Sequence, residues 1–164
     1  MNELDNAQGN QPVNPNLICP ECGSPLPEDT TCETYFHQML FWETENPANW
    51  EVHHLTVLCY HMQHPVLYSS DGLAGGKQLL INFVRDGVSP AEIRRTSSAK
   101  VNSKNRNWKI TARPDTKGAY THPPAWTMRA VDVVARGADG YCESVREWAQ
   151  SVYDSLIVTD NLKT

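Results

Sequence analysis

The stretch Ile18-Cys19-Pro20-Glu21-Cys22-Gly23, followed by Cys32, decides how this chain is read. Two thiolates three residues apart clamp one metal ion when the chain between them turns tightly. Pro20 presets one turn dihedral, and Gly23 lets the backbone double back at positive φ. Zinc takes four nitrogen or sulfur ligands in a tetrahedron, and Cys19 with Cys22 supplies two of them. Cys32 is the third. It is predicted at the start of a helix, whose N-terminal field favours a thiolate over a thiol. The competing readings are a surface turn with incidental cysteines and a thioredoxin-like redox pair. No βαβ pattern surrounds the motif, which disfavours the redox pair.

The fourth ligand comes from His37, His53, His54, His61 or His64, since no second Cys-x-x-Cys lies nearby. Two predicted helices rank them. The first starts after Thr30 or Thr31 and runs to about Glu43, with Tyr35, Phe36, Met39, Leu40 and Trp42 on its apolar side. The second begins near Asn46, with Pro47 in its first turn, and ends by His64 because Pro65 disfavours helix at the residue before it. If the two form an antiparallel hairpin, Cys32 faces residues 60–64. His54 then lies about 15 Å along the axis from His64 at 1.5 Å per residue. His64 ranks first and His61 second. His54 and His61 share a side of the second helix with Trp50 and Val57. They read as boundary residues, or as a polar pocket beside the metal. His37, His53 and His122 read as surface residues.

The rest of the chain is helical in pattern. A third helix is expected over about 73–86, using Leu79, Leu80, Phe83 and Val84 and stopping at Gly87. Ser89-Pro90-Ala91-Glu92 reads as a capping box that opens a short fourth helix. Residues 97–126 read as a long basic loop, of a length that is unusual in a compact domain. Thr127 is the expected cap of a helix over 128–135. Tyr141, Val145, Trp148, Val152 and Leu156 form one continuous face of a helix from about 140 to 157. Cys59 and Cys142 fall inside apolar helical patterns and are expected to be buried. The fold class that follows is mainly α, a small helical bundle with an N-terminal zinc-binding loop (17–34) pinned to a helical hairpin.

Composition bounds the alternatives. The chain has 164 residues, 40% of them hydrophobic, and a chain of this size buries about 70% of its unfolded surface. One domain over 17–164 is expected, with residues 1–16, rich in Asn, Gln and Pro, as a disordered tail. No window approaches the roughly 18 apolar residues of a membrane span. Met1–Asp5 has no basic or apolar signal-peptide character, so a cytoplasmic location is the expectation. Five cysteines, an odd number, argue against a disulfide framework. Residues 1–76 hold ten acids and no Lys or Arg, whereas 85–117 hold nine bases and three acids. That asymmetry marks either a binding surface or two halves that attract each other.

The chain resembles a family of small bacterial proteins classed only as a domain of unknown function. Four pieces carry the likeness. They are Cys19-Pro20-x-Cys22-Gly23, then Cys32 with Phe36, then His54-x-x-Val57-x-x-Tyr60-x-x-Gln63-His64-Pro65, and Val145-x-x-Trp148-Ala149-x-Ser151-Val152. The resemblance implies a helical fold with a Cys-rich N-terminal element. It adds weight to His64 and His54 and implies no activity.

Three functions are therefore weighed. The first is a zinc-stabilised structural or protein-interaction module, with Cys19, Cys22, Cys32 and His64 as ligands and a protein as partner. The second is a metal-dependent, hydrolase-like enzyme with a site near His54 and His61, although the His-Glu-x-x-His and His-x-Glu signatures are absent. The third is nucleic-acid binding through 94–117 with Trp108, which the net charge of −5 disfavours.

Overall fold

The computed structural model describes residues 17–27, 29–101 and 116–163, with no account of the side chains of 97–101. Helix α1 spans Cys32–Glu45, α2 His53–Gln63, α3 Ser70–Leu80, α4 Pro90–Val101, α5 Ala130–Arg136 and α6 Tyr141–Val158. The protein is mainly helical. Among the described residues the only β pairings are two isolated bridges, Ile18 with Pro25 and Ser69 with Lys117. The expected tail 1–16 and residues 102–115 of the expected basic loop lie outside the described residues.

Helix α6 is the spine. Tyr141, Val145, Trp148, Val152 and Leu156 are each at most 1% exposed. Burying each such side chain contributes about 1.5–3 kcal/mol. This face packs against α2, α5 and the turn before α2. Helix α1 packs against α2 and α5.

Two contacts fix the direction of the α1/α2 hairpin. At one end Glu43 Oε2 lies 2.6 Å from His53 Nδ1. At the other, the Phe36 ring stacks on Tyr60 at 4.3 Å. The start of α1 therefore lies beside the end of α2, as an antiparallel hairpin requires.

Several boundaries differ from the sequence reading. The expected second helix is two segments, because Pro47–Val52 winds as a 3-10 helix before α2. The Asn46 side chain accepts from the Ala48 amide, and Asn49 Nδ2 donates to the Trp42 carbonyl. These bonds tighten the turn. Helix α3 starts earlier than expected, because Ser69 Oγ caps it by accepting from the Gly72 amide at 3.0 Å. It then widens into π geometry over Ile81–Arg85, with the Asp86 amide donating to the Ile81 carbonyl. The Ser89/Glu92 capping box forms in both directions, and α4 continues to Val101, into the stretch read as loop. Thr127 caps nothing, since its hydroxyl lies 2.9 Å from Ser151 Oγ. The cap of α5 is instead Arg129, whose amide donates to the Asp132 carboxylate at 2.8 Å. Cys59 is fully buried, as expected, but Cys142 is only partly so. It sits in the first turn of α6, near the Asn49 side chain.

Candidate metal centre

The N-terminal loop folds back on itself around the Ile18–Pro25 bridge. The Cys19 amide donates to the Ser24 carbonyl at 2.9 Å, and the Leu26 amide to Leu17 at 2.8 Å. Between them the Gly23 amide donates to the Cys19 carbonyl. Gly23 has φ of 73°, a conformation that side-chain-bearing residues rarely adopt. This knuckle turns the Cys19 and Cys22 thiols inward. Thr31 caps α1, accepting from the Thr34 amide, and so places Cys32 in the first helical turn. His64 is the C-cap of α2.

These four side chains converge. Their ligand atoms all lie within 4.8 Å of one another, and all four residues are buried. Cys22 Sγ is 3.5 Å from Cys32 Sγ, and Cys19 Sγ is 3.7 Å from His64 Nε2. An ion held tetrahedrally at about 2.3 Å from sulfur and about 2.0 Å from nitrogen sets such ligand atoms about 3.5–3.8 Å apart. The geometry is therefore compatible with a metal ion at the centre. His64 is oriented for it. Its Nδ1 lies 2.7 Å from the Tyr60 carbonyl, so that nitrogen carries a proton and Nε2 is the ring nitrogen that faces the sulfurs. Tyr60 also tilts its ring against His64 at 4.4 Å.

The electrostatics single out Cys22 as a thiolate and hold protons on Cys32 and His64 beside it. The Cys22 thiol is pushed down to about 3, first by the hydrogen bond from Cys32 and also by those from His64 and Ser24, against the opposing effect of burial. Cys32 is pushed up by the same bond and by burial. Burial alone would lower His64, but its hydrogen bonds to Cys22 and Tyr60 outweigh that and raise it to about 9. A positive charge completes the surroundings. Arg129 Nε donates to the Cys22 carbonyl at 2.7 Å. Its guanidinium also lies against Gly23, within 3.6 Å of where a Cβ would stand. Nothing in the local sequence singles out this arginine, which is 107 positions from Cys22.

The other histidines do not join the cluster. His61 is half-buried and its Nδ1 bonds the Val57 carbonyl at 2.8 Å. His54 packs edge-on against Phe83 at 4.6 Å. His37 is exposed beside Glu33, and His122 is exposed. His53 departs from its surface reading. It is held by Glu43, a carboxylate with no exposure at all. Glu43 also accepts from the Tyr141 hydroxyl at 2.7 Å, and Thr56 Oγ1 lies 2.9 Å from that hydroxyl. A carboxylate at the expected end of the first helix gave no sign of this network. The expected nucleic-acid segment, 94–117, lies mostly outside the described residues. Arg94 and Arg95 at its start are exposed on α4.

Residues 18–157 match the model of a family of unknown function (DUF5946), and the chain belongs to that family. No curated protein and no solved structure matches the chain. Several residues of the resemblance now have structural places. Gln63 is buried, donates to the Met128 carbonyl at 2.7 Å and accepts from Trp148 Nε1 at 3.3 Å. Pro65 opens the short 3-10 turn Pro65–Leu67.

Proposed function

We propose that this protein is a zinc-stabilised helical module in which Cys19, Cys22, Cys32 and His64 hold one Zn2+ and fasten the N-terminal knuckle to the α1/α2 hairpin. The convergence of four buried ligand atoms within 4.8 Å carries the reading. Three thiolates and one imidazole suit zinc, which prefers such a soft tetrahedral set, over magnesium or calcium, which take oxygen. Four protein ligands close the coordination sphere and leave no position for a substrate. The ion's task is then to hold the fold.

The interaction half of the proposal rests on the surface around the knuckle. Leu17, Ile18, Val66 and Leu67 are exposed. The Val66 amide donates to Glu21 Oε1, which joins the two short segments into one apolar patch. Such patches mark contact sites on other proteins. A protein partner in the cytoplasm fits this surface, and among the described residues no helix is long and apolar enough to cross a membrane.

Metal analysis of protein purified without added metal, with Cys19→Ser and His64→Ala beside the wild type, tests the metal half. One zinc per wild-type chain, lost or weakened in both variants together with thermal stability, is the expected result. For the interaction half, crosslinking from residue 18 or 66 should capture a partner that Ile18→Asp releases. A captured partner indifferent to Ile18→Asp counts against the patch.

A further inference from the structure

Along the α2 side that carries His53, His54, Val57 and Leu58 lies a cleft of about 730 Å³. Its size falls within the range of small-molecule sites. Val57, Leu58, Leu79, Phe83 and Ile93 make its apolar wall, and His53, His54 and Arg94 supply its polar groups. These groups and the Tyr68 phenol are basic or neutral, and among the described residues no carboxylate lines the cleft. Arg94 has no ion-pair partner among the described residues.

The imidazoles are arranged rather than loose. Glu43 takes His53 Nδ1 at 2.6 Å, which leaves Nε2 as the ring nitrogen available to a ligand. His54 is fixed edge-on to Phe83. Burial, then the His53, Arg146 and Arg94 charges, hold it below the ordinary imidazole range, so it is neutral and able to donate one hydrogen bond.

We infer that this cleft binds a small organic acid with an apolar body, the body lying against Leu79, Phe83 and Ile93 and the carboxylate meeting Arg94 and the histidines. Charge complementarity selects the occupant. An unpaired guanidinium beside two imidazoles favours an anion, and the apolar wall favours an alkyl or aryl chain over a polar metabolite. The cleft shares no residue with the Cys/His cluster. Its polar end at His53 lies eleven residues before His64, about 16 Å along the helix.

The test is calorimetric titration of the intact, metal-loaded protein with octanoate and 4-phenylbutyrate, each paired with its neutral amide. Methyl NMR shifts at Val57, Leu79 and Ile93 locate the binding. Saturable one-to-one binding of an acid, at least tenfold tighter than its amide, is expected. Arg94→Gln, a change at an exposed position, should weaken the acid about tenfold and leave the amide unchanged. Leu79→Glu, checked for retained helicity, should abolish both. The inference is overturned if neither acid saturates the wild type, if acid and amide bind equally, or if Arg94→Gln leaves the acid's affinity intact. Metal content is expected to be the same in both variants as in the wild type, so failure here leaves the zinc proposal standing.

Discussion

Cys19 Sγ and His64 Nε2 stand 3.7 Å apart although 45 positions separate them in the chain. One belongs to the knuckle and the other caps α2. An ion between them would close the loop that joins these segments, and its binding would then be linked to folding in this region.

Arg129 should tune the ion without touching it. Three thiolates, a neutral imidazole and a divalent ion leave one net negative charge, and the Arg129 guanidinium lies against the knuckle that carries two of those thiolates. Arg129→Gln is expected to lower zinc affinity about 10–100-fold, the usual scale for groups that orient ligands. Competition against a chromophoric chelator measures it. An affinity within twofold of wild type would show that Arg129 only decorates the knuckle.

The buried Glu43 should be costly to leave short of donors. Tyr141→Phe keeps the ring in the core and removes the hydroxyl that donates to Oε1. The expected loss is about 1–3 kcal/mol in urea unfolding. Glu43→Leu, which removes the buried charge and fills its space, should be less harmful than Glu43→Ala. The reverse order would mean that leucine does not fit the space the carboxylate fills.

Gln63 ties three elements together, since it bonds Met128 and Trp148 from the last turn of α2. Gln63→Leu preserves the volume but strands a buried carbonyl and an indole N–H. A loss of about 2 kcal/mol follows from the cost of unsatisfied buried groups. Urea unfolding followed by Trp fluorescence reports it, and a loss under about 0.5 kcal/mol, the scale of ordinary surface changes, would contradict the bonding.

Gly118 sits where a side chain has no room. A Cβ there would stand 2.8 Å from the Pro65 carbonyl oxygen and 3.2 Å from Leu73 Cδ2. Because the nearest atom is backbone, Gly118→Ala must push the Pro65–Leu67 turn away from its place beside His64. Overpacking of this kind costs about 1–3 kcal/mol. Thermal unfolding measures it, and an unchanged midpoint would show that the turn yields freely.

The convergence of the three cysteines and His64 was legible because its signals were local or geometric. The Cys19/Cys22 spacing with Gly23 marked the knuckle, and Pro65 fixed the end of α2 at His64. One hairpin argument then chose His64 over His61 and His54, and the structure places His64 with the three cysteines. The face of α6 was legible because a strict helical period leaves no second solution. The start of α3 at Ser70 was missed because Ser69 precedes a Gly-rich, weakly apolar turn, where capping alone sets the boundary. Glu43, His53 and Arg129 were missed for a different reason. Their partners lie on other elements, and a single charged residue in a sequence does not announce what it will meet. The cleft was half seen, through His54 beside a proposed polar pocket, but it opens toward Phe83 and Arg94 rather than toward the metal.

The central claim is most directly tested by zinc X-ray absorption on the wild-type protein purified without added metal. One zinc per chain with three sulfurs at about 2.3 Å and one nitrogen at about 2.0 Å is predicted. A fully folded chain without metal, whose melting temperature does not move when zinc is added, would contradict it.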